Sequence, residues 1–421
     1  MEGRPERVVP LCFPVPKAVI LYMTKLISRP RDIRVIAIAR LISEMGDEMA
    51  LIALLFRVKT SGPAAISAIF ALYALSRILL APYSGSVVDR FPTKRLITSV
   101  SMVQTCIAIC LAISHGMALY VFVFLLAVGG TIIGPAWQAI IPTLVPSNEL
   151  TRTYAFIQTH RSFAIVFGSG IGGFLVARFE PSTALLINAL TFFIVGIFAI
   201  TLQNDRRPGL TKITRRDSIR GFRQLLSKPV LVSSIILLAA FNMSAGVNEV
   251  LGIFLVTDIL KGTASQYGLV MASLGLSMVV TGFVLSRIHI AMNDTTCLII
   301  SATTSALGMF LYGLSPNVYV AMVAFWINGA GLTGLHAFGT PIIVRHTSED
   351  ERGRVFAASS SITTSGILLS TGLAGLIGTH VPIRLAITIS ALTCGISALY
   401  AGSRIVRAEK NLEKSESATE Q

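Results

Sequence analysis

Apolar residues run through this chain in blocks of about twenty, separated by short polar breaks. A helix needs about 20 apolar residues to cross a bilayer. Blocks of that kind fall near 33–56, 64–88, 96–114, 118–140, 154–177, 182–202, 230–256, 265–287, 296–314, 318–343, 355–378 and 383–403. The pattern predicts an all-α membrane protein with twelve transmembrane helices. The longest break lies in the middle. It divides the chain into a lead-in (1–32), an N-terminal six-helix half (33–203), a linker (204–229), a C-terminal six-helix half (230–404) and a tail (405–421).

Composition supports this reading. The 421 residues are 53% hydrophobic and 13% charged, against about 25% charged in a soluble chain. A soluble enzyme with one anchor does not fit. The net charge of +14 would suggest nucleic acid in a soluble protein. Here the charge follows the loops. Arg90, Lys94, Arg95, Arg152, Arg287, Arg345, Arg352 and Arg354 fall on one side of the predicted spans. Lys59, Arg178, Lys261 and Arg384 are nearly all that the other side holds. Lys and Arg concentrate in cytoplasmic loops, so both termini are expected in the cytoplasm, with no nucleic-acid partner. The linker, Asn204 to Pro229, has eight Lys or Arg and two Asp. An anionic lipid leaflet is its expected neighbour, and its "RGFRQLL" end is expected to form a short interfacial helix.

The five cysteines and six histidines show no metal-ligand or catalytic spacing. No cofactor, metal or enzymatic activity is expected. The N-terminus lacks the small-residue cleavage site of a signal peptide.

The halves look related. "PTLVPSNELTRTYA" from Pro142 resembles "RHTSEDERGRVFA" from Arg345. One constant shift aligns Glu149 with Glu351, Arg152 with Arg354 and Ala155 with Ala357. It also aligns Gly170 with Gly372 and Gly173 with Gly375. Paired repeats joined by a linker are the build of alternating-access carriers.

The first predicted helix contains "ARLISEMGDEMAL", with Arg40, Glu44, Asp47 and Glu48. At 1.5 Å per residue, Glu44 lies roughly 16 Å into the membrane, near its midplane. Each central charge costs about 2.5–3.5 kcal/mol to insert. The spacing i, i+4, i+7, i+8 puts all four on one stripe, which must face a polar cavity or its own members. Arg40 and Glu44 can pair at i, i+4. Asp47 and Glu48 have no partner on their own helix, and Arg77 of the second helix is one candidate. Adjacent carboxylates in low dielectric repel, so one is expected to hold a proton near neutral pH. Asp47 is the first candidate for proton coupling, followed by Glu48 and Glu44. Gln138, Asn242, Asn248, Glu249, Asn328 and His336 are candidates for the cavity wall, though an amide inside a helix is more often a satisfied interhelical hydrogen bond. His160 and Arg161 are candidates for an inner gate or the cavity. Trp137 and Trp326 are read as packing first.

Two motifs carry a family resemblance. "GSVVDRFPTKRL" presents Gly85, Asp89, Arg90, Lys94 and Arg95. It resembles the loop signature of the major facilitator superfamily, with Pro92 where glycine is usual. Its glycine is expected to let two helices approach closely, and its acid to meet a helix N-terminus or a basic residue at the inner gate. "GSGIGG", with Gly168, Gly170, Gly172 and Gly173, has the letters of a dinucleotide loop. That loop requires a preceding strand, and these flanks are apolar helix. The stretch resembles instead the fifth-helix glycine motif of drug-exporting members, with Ser169 in place of proline. With "RLISEMGD" and "ERGRVFA", the chain is similar to the macrolide-efflux and siderophore-exporter group of bacterial drug:proton antiporters. The resemblance implies a carrier in the cell membrane that exports a small amphipathic or hydrophobic compound in exchange for protons; a monomer is expected, though the sequence leaves the oligomeric state open. Uptake, uniport or lipid flipping on the same fold are its rivals, and a transport-dead sensor is a more distant one.

Overall fold

The computed structural model describes residues 30–146, 149–205, 223–226, 228–288, 292–347 and 349–419. Most of the lead-in and the basic body of the linker lie outside the described residues. So do the side chains of Arg152, His160, Arg352 and Arg354.

Among the described residues there are twelve α-helices of 20 residues or more. In the first half they are α1 (Arg31–Val58), α2 (Pro63–Arg90), α3 (Thr93–Ile113), α4 (Met117–Ile140), α5 (Leu150–Arg178) and α6 (Pro181–Ile200). In the second they are α7 (Pro229–Phe254), α8 (Ala264–Leu285), α9 (Asp294–Leu314), α10 (Val318–Arg345), α11 (Glu349–Ile377) and α12 (Ile383–Thr419). Helix α12 runs beyond the apolar block that ends near 403. The described linker residues 223–226 are helical, and Leu225 is buried among Leu231, Ile235 and Ile343.

Local chemistry sets the boundaries. Pro63, Pro181 and Pro229 open α2, α6 and α7, where a missing N–H costs nothing. Thr263 and Gln266 form a reciprocal capping box at the start of α8. The Asn317 side chain accepts from Val320 N at 3.0 Å to cap α10. Gly62, at φ 88°, makes the turn into α2.

Ten of the twelve helices are long and apolar enough to cross a membrane by length and composition. The two others are α1, with its four stripe charges, and α5, with Arg161 and the glycine motif. Those two pack against each other. Large apolar side chains such as Leu79, Phe174, Val323 and Leu376 are exposed on the outside of the bundle. That is the arrangement expected where lipid, not water, is the solvent. The chain is a multi-pass membrane protein.

The two halves pack alike. In the first, α1 packs on α5 and α6, α3 on α4 and α6, and α2 on α4. In the second, α7 packs on α11 and α12, α9 on α10 and α12, and α8 on α10. These are the same five pairings moved on by six helices. The halves meet along two seams, α5 against α8 and α2 against α11, which the same operation exchanges.

Candidate functional site

Between the halves lies a cavity of about 2040 Å³. It reaches the surface at one end, beside the exposed residues Pro30, Glu149 and Ser286. At the other end its wall is the buried core around Leu54 and Leu111. Repeat-related glycines form the seams towards this closed end. A Cβ on Gly173 would lie 2.8 Å from the Cα of Gly268. A Cβ on Gly375 would collide with Ser67, whose hydroxyl donates to the Thr371 carbonyl at 2.7 Å. Small residues let the backbones of the two halves touch.

The charged stripe of α1 faces this cavity, with Arg40, Glu44, Asp47 and Glu48 all in its wall. Arg40 donates to Glu44 Oε1 at 2.8 Å through Nη2 and at 3.3 Å through Nε. The second Glu44 oxygen is buried without a hydrogen-bond partner. Asp47 stands beside Asn188 of α6. Gly46 allows that approach, since a Cβ there would collide with Asn188 and Thr191. Arg161 of α5 and Arg77 of α2 also line the cavity. Arg161 is within electrostatic reach of Asp47, Glu48, Glu249 and His336, so acids from both halves share one guanidinium. Arg77 makes no ion pair among the described residues.

The glycine motif explains how α5 reaches the stripe. A Cβ on Gly168 would lie 2.8 Å from both the Glu48 Cβ and the Met45 carbonyl, and one on Gly172 2.8 Å from the Met49 Cα. Gly170 is the loose member, with only Ala272 nearby at 3.9 Å.

In the second half Asn242, Asn248, Glu249, Asn328 and His336 reach the cavity. Asn328 is also tied structurally: its Oδ1 accepts from Ser305 Oγ at 2.6 Å and its Nδ2 contacts Met309 Sδ at 3.3 Å. Asn242 donates to the Leu238 carbonyl at 2.7 Å.

Two expectations fail. Gln138 is exposed and outside the cavity wall. The phase of α4 turns its neighbour Trp137 inward instead, with Gly130, Ile133 and Gly134. Gly85 does not bring two helices together, because a Cβ there would meet nothing within 4 Å. It lies towards the basic end of α2, while the α2–α11 seam closes at the opposite end, around Ser67. The rest of that motif is anchored beside the helix ends. Lys94 Nζ donates to the Leu202 carbonyl at 2.9 Å, and Lys94 N donates to Asp205 at 3.0 Å. Asp89 is half-buried, Arg90 and Arg95 are exposed, and Arg95 faces a shallow basic pocket with Lys94 and Asp205.

Sequence reasoning missed Tyr73, Gln104 and Asn188 in the wall. For Gln104 and Asn188 the available signal was an amide within an apolar block, while Tyr73 carried none. It also missed Asp32, whose carboxylate accepts from Gln203 N at 3.1 Å and from Asn204 N and Nδ2 at 2.9 Å. That clasp ties the end of the first half to the start of α1.

Two six-helix halves around a central cavity define a membrane transporter of the major facilitator type. The family model described as transmembrane secretion effector matches residues 29–421, and the chain belongs to that family. It is 25% identical over 380 residues to the uncharacterized MFS-type transporter YfiS of Bacillus subtilis (strain 168), covering 86% of this chain and 89% of that one. It is 22% identical over 339 residues to macrolide efflux protein A of Streptococcus pyogenes, covering 76% and 84%. Among solved structures, a POT family transporter in complex with 5-aminolevulinic acid has a TM-score of 0.74 at 12% identity, covering 90% of this chain and 97% of that one. That likeness concerns the fold.

Proposed function

We infer that this transporter exports an amphipathic compound from the cell in exchange for protons. The observation that carries the reading is a single cavity in which carboxylates from both halves lie within electrostatic reach of Arg161. Glu44 is held by Arg40. Asp47, Glu48 and Glu249 share Arg161, with Arg77 as the other nearby cation. A group that outnumbers its counter-ions in a low-dielectric cavity is suited to bind and release a proton during a cycle. The remaining wall is largely apolar, with Phe70, Trp137, Phe163, Phe241, Met271 and Met278. Met and aromatic side chains repack around varied shapes. Its volume exceeds the roughly 300–1,000 Å³ of an ordinary small-molecule pocket, which suits a bulky solute of the kind named for the macrolide efflux relative.

The distribution of Lys and Arg supports an orientation with the open end on the cytoplasmic side of the cell membrane. In that orientation the cavity takes up substrate from inside while Asp47 gives up its proton there. Rocking of the halves along the two seams then exposes both to the outside. The reading is tested with a toxicity and accumulation panel of lipophilic compounds, macrolides included, in an exporter-deficient host. The intact chain should lower the accumulation of a subset, and Asp47→Asn should not. If no compound is retained less by cells carrying the chain, the export reading falls.

A further inference from the structure

The closed end of the cavity carries a feature that the cavity itself does not explain. Between α7 and α8 the chain makes a π-helical turn, Leu255–Ile259. The Leu260 N–H donates back to the Leu255 carbonyl at 2.9 Å, and the Gly262 N–H to the Val256 carbonyl at 2.8 Å. Single π turns recur at functional sites because the extra residue re-aims side chains. Here the turn presents Asp258. Its carboxylate accepts from Thr257 Oγ1 at 3.0 Å and forms an ion pair with Lys59, in the short α1–α2 connection of the other half. The Lys59 ammonium also sits 6.0 Å from the centre of the Phe254 ring. One turn back on α1, Phe56 meets Tyr267 of α8 edge-on, with centroids 5.9 Å apart.

This clasp joins the halves once. The repeat shift that carries Glu149 onto Glu351 carries Lys59 onto Lys261 and carries Phe56 onto Asp258. Lys261 therefore has a phenylalanine where its symmetric partner would need a carboxylate, and among the described residues it makes no ion pair. A symmetric pair of bridges would serve general cohesion. A single bridge, on a specialised turn, over the closed end, is placed to open.

We propose that Lys59 and Asp258 are the latch of the closed end, and that their separation accompanies opening of the cavity on that face. The latch rests on the alternating-access reading but not on which solute is carried. The Lys59 and Asp258 side chains are 22% and 47% exposed, so the latch biases an equilibrium and does not lock it.

The test reads conformation rather than transport. In a background with the native cysteines replaced by serine, spin labels are placed at Arg178 and Thr379, one in each half at the closed end. Distances are measured in lipid nanodiscs by double electron–electron resonance. Asp258→Asn should raise the ratio of long to short distances about two- to fivefold, the range a partly exposed ion pair supports. Lys59→Gln should do at least as much, since it also removes the contact with Phe254. The exchanged pair, Lys59→Asp with Asp258→Lys, should return the ratio towards that of the parent. An unchanged ratio in both single variants, or an exchanged pair no closer to the parent than the singles, overturns the latch. A failure to find any exported compound would count against the transport reading and leave this result standing.

Discussion

The two halves of the molecule share a fold and divide the chemistry. Five helix pairings in the first recur in the second, and the two seams exchange under the same operation. Yet the cavity wall of the first half holds Arg40, Glu44, Asp47, Glu48, Arg77 and Arg161, while that of the second holds one acid, Glu249, with Asn242, Asn248, Asn328 and His336. The repeat keeps what packing requires, which is small residues at seams and apolar surfaces towards lipid. It does not keep the charges, because a charge in the membrane is kept only where it is used or paired. On the proposed exchange, this difference would put proton handling chiefly in the first half, while apolar side chains of both halves face the solute.

Neutralising the acids of the first half is expected to have the largest effect. Asp47→Asn and Glu48→Gln are each expected to abolish pH-driven transport in vesicles while leaving the protein folded. Glu249→Gln should reduce it and alter which compounds are carried. Equal loss from all three would erase the division of labour.

The seams offer the next largest effect. Gly173→Ala and Gly375→Ala put a methyl group into close contacts between halves, against the backbone of Gly268 and the side chain of Ser67, and overpacking of this kind costs about 1–3 kcal/mol. Thermal unfolding in detergent should show both as destabilised. Gly170→Ala and Gly372→Ala should be near neutral, because a Cβ meets only Ala272 at 3.9 Å at the first and nothing within 4 Å at the second. A smaller effect is expected at the Arg40–Glu44 pair, whose side chains are 22% exposed. Arg40→Gln should cost about 1 kcal/mol, between the values for exposed and buried pairs. Arg40→Gln with Glu44→Gln should recover most of it, with proton coupling retained. The smallest concerns α4, where Trp137→Ala should change the profile of carried compounds and Gln138→Ala should not.

Much of this was legible in the sequence. Apolar block length reveals helices because the bilayer demands it, and the blocks gave way to helices even at α1, where the charges sit. The i, i+4 spacing of Arg40 and Glu44 determined their pairing, which depends on one helix alone. What was hidden depended on the rotation of one helix against another. Gln138 and Trp137 are neighbours, and only the packing of α4 decides which faces the cavity. Asn188 lies in an apolar block of an outer helix and approaches Asp47 only because Gly46 lets α6 close on α1. Gly85 matches its motif by letter, while a Cβ there would meet nothing within 4 Å, because the α2–α11 seam closes around Ser67 at the other end of α2.

On the proposed function, cavity carboxylates of the first half exchange protons for substrate. This exchange is tested most directly in everted membrane vesicles carrying a pH-sensitive dye, with a lumen acidified by respiration and a compound from the accumulation panel added outside. Proton release from the lumen is expected on addition of the compound, with no release in the Asp47→Asn protein. Substrate uptake that persists at full rate after the proton gradient is collapsed, or full proton release in the Asp47→Asn protein, would contradict it.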